Sequence, residues 1–226
     1  MKPYEELART TTPDGARLTL LEQSGDYYIE IDGATLMSTR AVGSERALAE
    51  MGIRGLVDVK RPRVLIGGLG LGFTLGAALD ELPPDGTVVV AEIFAAVVEW
   101  NRKFMFESST DRLADPRVVV DQRDVVEVMR DTSIPFDAIL LDVDNGPDAY
   151  CLESNHRLYN AAGLARIKKA LNPGGILGIW AVEGSPAFVR TLRREGFEAD
   201  VTTVRSRGRK GARHAIFLGR MPAKRK

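Results

Sequence analysis

The distribution of apolar and polar residues divides the chain into two regions. From residue 62 onward, short apolar runs alternate with segments of helical periodicity, an arrangement typical of parallel βαβ units. The pattern predicts seven strands, at Val64–Gly67, Thr87–Glu92, Val118–Asp121, Ala138–Val143, Gly175–Ala181, Glu198–Arg205 and Ala212–Leu218. It predicts helices between them, at Phe73–Leu82, Ala95–Phe104, Val125–Arg130, Ser154–Leu171 and Pro186–Glu195. Only a short basic link joins the last two strands, which should therefore form an antiparallel hairpin at the sheet edge.

The first fifty residues follow a different pattern. Three short β-prone segments, separated by Gly-containing turn signals, lie at Arg17–Glu22, Asp26–Ile31 and Ala34–Ser38. They predict a small antiparallel β-meander, which needs the main domain or a second subunit to pack against. Ser44 is predicted to cap a linking helix, Glu45–Met51. We therefore expect a meander with its helix over residues 1–50 and a Rossmann-like domain over residues 51–226.

Composition narrows the classes of function. Lys plus Arg and Asp plus Glu both number 31, so no global field would attract nucleic acid or a membrane. Residues 201–226 carry nine basic residues and no acid, but without interleaved aromatics to stack bases, so nucleic acid is not the favoured partner. The single cysteine, Cys151, excludes an internal disulfide and fits a reducing cytosol. No apolar run approaches the length of a membrane span, and we expect a soluble, cytoplasmic protein.

The turn after the first strand of the main domain carries the strongest chemical signal. In Arg63–Gly72, RVLIGGLGLG, an apolar run breaks into glycine and the pattern then becomes helical. Gly68, Gly70 and Gly72 remove side chains where the backbone turns sharply, and they let a ligand approach main-chain N–H groups. Glu92, at the end of the next strand, could accept two hydrogen bonds from a ribose diol. The alternative is a plain strand-to-helix turn, but strand context and Glu92 together favour a site for one adenosine-bearing ligand.

Further carboxylates follow the third and fourth strands of this domain. Asp124 could accept a hydrogen bond from an adenine amino group, cap the next helix, or do both. In LLDVDNGPD, Asp142 could hold an amine and remove its proton, with Asp144 as its electrostatic neighbour. The alternative role of these acids is to form turns and cap helices. His156 and His214 lack metal-ligand spacing to another His or Cys, so no metal is predicted.

Seven strands ending in a hairpin form the pattern of class I S-adenosylmethionine-dependent transferases, whose ligands bind beyond the carboxyl ends of the central strands. Within that pattern, the chain resembles the spermidine synthase family of polyamine aminopropyltransferases. The resemblance covers roughly residues 17–218 and rests on the meander followed by VLIGGLGLG, Glu92, Arg123-Asp124, LLDVDNGPD and Asn172-Pro173-Gly174-Gly175.

The resemblance implies a fold, a donor and an acceptor. The fold would be a Rossmann-like seven-stranded class I methyltransferase sheet with a small N-terminal antiparallel β-meander, which the family uses in oligomer contacts; we expect a homodimer. The donor would be decarboxylated S-adenosylmethionine, and the acceptor a small-molecule amine. By position, Glu92 would bind the ribose, Asp124 the adenine, and Asp142 would act on the acceptor amine, next to Asp144.

Two departures from the family pattern keep other activities open. The family's glycine loop is usually GGGDGG, with an Asp that holds the donor's aminopropyl nitrogen, whereas this chain has Gly70 at that position. The segment 40–50 lacks the tyrosine and glutamine that the family uses around the polyamine. The alternatives are a small-molecule methyltransferase that uses ordinary S-adenosylmethionine, and a homologue that binds a nucleoside without catalysis.

Overall fold

A computed structural model describes residues 2–12, 15–104, 106, 111–143, 146, 156–208 and 210–223. Within these ranges the strands form two sheets, one of four strands and one of seven. The four-stranded sheet is N-terminal and consists of β1 (Glu5–Thr11), β2 (Arg17–Gln23), β3 (Asp26–Ile31) and β4 (Ala34–Ser38). All its neighbours are antiparallel, in sequence order.

The predicted meander is therefore confirmed, with one strand more than the sequence indicated. The missing strand is β1, whose sequence EELARTT is polar and largely exposed. It lacks the alternation of apolar and polar residues that identified the other three strands. Its hydrogen-bonded pairing with β2, and not its own side-chain pattern, makes this segment a strand.

The seven-stranded sheet confirms the predicted Rossmann-like fold. Its strands are β5 (Arg63–Gly67), β6 (Thr87–Ala91), β7 (Val118–Asp121), β8 (Phe136–Leu141), β9 (Leu171–Ala181), β10 (Glu198–Arg207) and β11 (Lys210–Arg220). The order across the sheet is β7-β6-β5-β8-β9-β11-β10. The first five of these are parallel, and the final hairpin is antiparallel as predicted.

Helices cover both faces of this sheet. They are α1 (Gly43–Arg54), α2 (Phe73–Glu81), α3 (Ala95–Phe104), α4 (Val125–Asp131), α5 (His156–Tyr159), α6 (Ala161–Ala170) and α7 (Pro186–Arg194), with a 3₁₀ turn at Arg112–Ala114. Helices α1–α3 and the meander share one apolar core, while α4, α6 and α7 bury another on the opposite face. In the ranges that the structure describes, no helix has both the length and the apolar character to cross a membrane.

Three local predictions were wrong in detail. The helix predicted over 154–171 is interrupted at Asn160, whose side chain caps α6 by accepting from Gly163 N–H; residues 154–155 lie outside the described ranges. The strand predicted to begin at Gly175 begins earlier, at Leu171, because Leu171 pairs with Phe136 and the register then shifts at a bulge. Ser44 does not cap α1, because the helix begins at Gly43 and Ser44 lies within its first turn.

The register of the central strands determines where the functional groups lie. Gly67 at the end of β5 pairs with both Ala91 of β6 and Leu141 of β8. The apolar residues of these strands are buried, as expected for parallel strands with helices on both faces. The glycine turn, Glu92 and Asp142 follow these strands directly and therefore meet at one edge of the sheet.

Candidate active site

The glycine turn is fixed by hydrogen bonds within the protein. Gly68, Gly70 and Gly72 have φ angles of 85°, 51° and 80°, and residues other than glycine rarely adopt such positive values. A Cβ on Gly68 would lie 2.4 Å from the carbonyl oxygen of Asp142, so two strand ends approach each other here. The N–H groups of Gly68 and Gly72 donate to main-chain oxygens, at 2.9 and 2.8 Å. Gly68 and Gly70 line the adjoining cavity, and Gly72 is the N-cap of α2.

Glu92 joins this turn to the end of β6. Its Oε2 accepts from the N–H of Leu69 at 2.9 Å, and its Oε1 accepts from the N–H of Phe94 at 2.9 Å. The residue is 6% exposed and lines the cavity. Burial raises the pKa of its carboxyl, while the donating N–H groups act in the opposite direction. The ribose-binding role of Glu92 stays a prediction.

Asp124 performs the capping role that was its structural alternative. Its Oδ1 accepts from the N–H of Val126 at 2.8 Å at the start of α4. Its Oδ2 forms an ion pair with Arg157. The residue also lines the cavity, at the position where adenine binding is predicted. That binding role stays a prediction, and it requires an acceptor position that neither Val126 nor Arg157 uses.

Asp142 follows β8, which lies on the opposite side of β5 from β6 and β7, the strands that precede Glu92 and Asp124. This end of the cavity also holds another acid, Glu45. Its Oδ2 accepts a hydrogen bond from the Thr74 hydroxyl at 2.6 Å. Burial, together with the nearby charge of Glu45, raises the pKa of Asp142 from its ordinary 3.8 to about 7. Burial likewise raises the pKa of Glu45. Two carboxylates in a desolvated cavity resist ionising together, so this pair attracts either a proton or a cation.

Ser44 and His214 complete this end of the cavity. The Ser44 hydroxyl donates to Glu45 Oε2 at 2.6 Å, and the His214 Nδ1 lies 2.8 Å from the same hydroxyl. The His214 ring packs against Trp180 with 4.7 Å between the ring centroids. Burial lowers the pKa of His214. The Trp180 indole N–H is buried and has no hydrogen-bond partner among the described residues.

The meander supplies the remaining wall. The cavity has a volume of about 520 Å³, and residues 35–38 of β4 line it together with Leu18 and Ile29. Met37 lies directly on the glycine turn, because a Cβ added to Gly70 would be 2.5 Å from its Cε. The site is therefore built by both sheets and does not belong to the Rossmann-like domain alone.

The charges of the cavity wall are of one sign. The charged side chains among its described residues are Glu45, Glu92, Asp124 and Asp142. Neither lysine nor arginine occurs among the described residues that line it. A cavity of this kind favours a cationic occupant and disfavours an anionic one.

The structure brings most of the predicted residues together and adds others. Asp144 lies outside the described residues, and its role stays a prediction. Sequence reasoning missed Glu45, Thr74 and Met37 as site residues, and it treated Ser44 as a cap. The Ser44 and His214 side chains meet across 170 residues of sequence, so no local spacing could have connected them.

Solved structures with the same arrangement define the class. A spermidine synthase crystallised with the transition state analogue AdoDATO superposes with a TM-score of 0.71 at 18% identity, covering 95% of this chain and 72% of that one. A spermidine synthase from Thermotoga maritima gives 0.72 at 18% identity, with the same coverage. A probable spermidine synthase from Corynebacterium glutamicum gives 0.66 at 16% identity, covering 97% and 81%. The chain therefore has the class I methyltransferase-like fold.

Sequence comparison identifies the family within that class. The spermine/spermidine synthase domain matches residues 48–192, more than half of the chain. The chain belongs to the spermine/spermidine synthase family. Polyamine aminopropyltransferases from Mycobacterium tuberculosis and Oceanobacillus iheyensis are 29% and 27% identical over 194 and 179 residues, which are 84% and 78% of this chain. These stretches are 34% and 33% of the relatives, so the chain spans about a third of their length.

Proposed function

We propose that this chain binds an S-adenosylmethionine-type nucleoside and transfers an aminopropyl group from it to a primary amine. The observation that carries the proposal is the charge of the cavity, which has four carboxylates and no described lysine or arginine on its wall. A sulfonium donor with an aminopropyl chain and an aliphatic amine acceptor are both cations, so the cavity is complementary to the two substrates together. Membership of the spermine/spermidine synthase family supports the same reaction.

The glycine turn supports a donor without a carboxylate. The N–H groups of Gly68, Leu69 and Gly72 already donate to oxygens of the protein. A donor carboxylate at this turn would find few main-chain donors, and four carboxylates of the wall would repel it. Decarboxylated S-adenosylmethionine is therefore the proposed donor, with Glu92 on its ribose and Asp124 near its adenine.

Asp142 is the proposed general base. Its raised pKa, near 7, lets it hold the acceptor ammonium and accept a proton from it at neutral pH. The neutral amine nitrogen then forms a bond to the carbon next to the sulfonium while the carbon–sulfur bond breaks. The sulfur keeps the electron pair and leaves as a neutral thioether, and the product nitrogen carries the positive charge. Positioning and deprotonation are thus the tasks of the protein.

Titration calorimetry with three nucleosides tests the donor. We expect decarboxylated S-adenosylmethionine and 5′-methylthioadenosine to bind more tightly than S-adenosylmethionine. Glu92→Gln should weaken binding of all three by roughly tenfold or more, because the amide replaces an acceptor with a donor that faces a backbone N–H. Glu99→Gln, an exposed position on α3, is the matched control. If none of the three binds, the proposal is wrong. If they bind but no group is transferred to an amine, the homologue that binds a nucleoside without catalysis becomes the better interpretation.

A methyltransferase is the second candidate, because Gly70 stands where the family has the acid that selects the donor's aminopropyl nitrogen. Without that acid, one contact that favours the decarboxylated donor is missing. Tighter binding of S-adenosylmethionine than of its decarboxylated form, with methyl transfer to an amine, would establish this activity instead.

We also propose that the protein acts in the cytoplasm as a homodimer with contacts through the meander. Sedimentation equilibrium of the full chain tests the assembly. A single species at the mass of one chain across micromolar concentrations would contradict it.

A further inference from the structure

Helix α1 places the carboxylate of Glu45 in the cavity, and the structure of the helix does not explain the role of this acid. Glu45 is 8% exposed, and the Ser44 hydroxyl, itself 0% exposed, donates to it. No lysine or arginine forms an ion pair with Glu45 within the described residues. Burying a carboxylate without a cationic partner costs several kcal/mol, so a fold keeps one only with some compensation. The N-terminus of α1 supplies part of it, since Glu45 lies in the first turn.

Glu45 lies close to the predicted base. The Thr74 hydroxyl donates to Asp142 Oδ2 at 2.6 Å and lies 3.4 Å from the main-chain oxygen of Glu45. Both acids line the same cavity, and the charge of Glu45 contributes to the raised pKa of Asp142. A primary ammonium has three N–H donors, which is enough to bind both carboxylates at once.

The orientation of Glu45 is determined from outside the helix. Ser44 can donate to Glu45 while it accepts from His214 Nδ1–H, so the three side chains form one directed chain of hydrogen bonds. His214 belongs to β11, whereas Ser44 and Glu45 belong to α1. The C-terminal hairpin thus holds the Glu45 carboxylate in place through His214 and Ser44.

We infer that Glu45 is a substrate-binding residue, positioned by Ser44 and His214, which holds the reacting ammonium of the acceptor jointly with Asp142. The inference rests on the proposed function, because it assigns this residue to the acceptor of that reaction. Segment 40–50 lacks the family's tyrosine and glutamine. In this chain, the carboxylate of Glu45, oriented by Ser44 and His214, would hold the amine in their place.

The test measures binding of 1,4-diaminobutane to the protein saturated with 5′-methylthioadenosine. Glu45→Gln should weaken diamine binding at least tenfold and leave 5′-methylthioadenosine binding unchanged. Ser44→Ala and His214→Phe should each weaken it about threefold, since Glu45 stays but loses its support; the phenyl ring preserves the packing on Trp180. Glu50→Gln, on the same helix and beside Arg54, is the control and should change neither affinity.

Steady-state kinetics separates substrate binding from a structural role. With decarboxylated S-adenosylmethionine as donor, Glu45→Gln should raise the KM for the diamine while kcat changes only a few-fold. If Glu45 is merely structural, its variant will shift the unfolding midpoint and leave the diamine affinity unchanged, which would overturn the inference. Failure of the wild-type protein with bound 5′-methylthioadenosine to bind the diamine would overturn it as well. Failure to bind 5′-methylthioadenosine itself would instead count against the proposed function.

Discussion

The carboxylates at the two ends of the cavity differ in the partners that the protein gives them. At the glycine turn, both oxygens of Glu92 accept from backbone N–H groups, and Asp124 is bonded to a helix N-terminus and to Arg157. At the other end, Asp142 and Glu45 each accept from one hydroxyl and have no cation opposite them among the described residues. The carboxylates at the first end already have hydrogen-bond or ion-pair partners within the protein, and we call it the satisfied end. The carboxylates at the second end have no cationic partner among the described residues, and we call it the unpaired end.

The difference indicates how the site divides its work. A turn whose hydrogen bonds are already made is preorganised, so the proposed nucleoside would bind without rearranging the backbone. Two unpaired carboxylates cost stability in the free protein, and the proposed cationic substrate would recover that cost on binding. Substitutions at the glycine turn should therefore change mainly the stability of the fold. Substitutions of Asp142 and Glu45 should change mainly the rate of the reaction and the binding of the amine.

The largest expected effect is on the chemistry at the unpaired end. Asp142→Asn keeps the shape of the side chain but removes the base, so kcat for aminopropyl transfer should fall by roughly 10² to 10⁴-fold. Binding of 5′-methylthioadenosine should be unchanged, because that ligand carries no amine, and calorimetry on the same preparation checks it. An unchanged kcat would mean that Asp142 is not the base.

The next effect concerns the fold at the satisfied end. Gly68→Ala combines a positive φ with a Cβ 2.4 Å from the main-chain oxygen of Asp142. Gly174→Ala is the matched control, because its φ of 81° is equally unfavourable and its Cβ would meet nothing within 4 Å. Urea unfolding should show a loss of roughly 1 to 2 kcal/mol for Gly174→Ala from the backbone alone. Gly68→Ala should lose at least about 2 kcal/mol more, since backbone atoms must shift. Equal losses would show that the strand ends can separate freely.

A further prediction concerns the unpaired end: the free energy of unfolding should depend on pH through Asp142. The pKa of Asp142 is higher in the folded protein than its ordinary 3.8, so the folded state binds the extra proton. Its stability contribution is therefore greatest at low pH and is lost as pH rises from about 4 to about 7. Relative to wild type, Asp142→Asn should gain on the order of 2 to 4 kcal/mol between pH 4 and pH 8, measured by urea unfolding. Asp200→Asn, at an exposed site, is the control. A constant difference between wild type and Asp142→Asn would contradict the buried acid pair.

The satisfied end was also the part of the site that could be predicted from the sequence. The glycines and Glu92 follow directly from strands whose apolar runs are unambiguous, and parallel pairing brings such strand ends together. The same reasoning placed Asp142 beside them. Each of these positions is determined by one strand and the turn that follows it, which is local information.

The unpaired end depends on contacts that local patterns do not encode. Glu45 and Ser44 precede the main domain and meet Thr74 and His214 only after the sheet has formed. Met37 lies on Gly70 because the meander folds back over the turn. The first strand of that meander was missed for a related reason: its pairing partner, and not its own sequence, makes it a strand. Long-range packing overrides local propensity in each case.

The smallest expected effect tests whether Asp124 does more than cap a helix. Asp124→Ala removes the acceptor for Val126 N–H and should cost about 1 kcal/mol of unfolding free energy, as N-cap losses do. Arg157→Ala keeps the cap and removes only an exposed ion pair, so it should change stability by less than about 0.5 kcal/mol. If Asp124 also binds adenine, Arg157→Ala leaves Oδ2 free and should preserve or strengthen 5′-methylthioadenosine binding, whereas Asp124→Ala should weaken it. Equal nucleoside affinity in all three proteins would restrict Asp124 to the helix, and the internally satisfied end of the cavity would then recognise the nucleoside through Glu92 and the glycine turn alone.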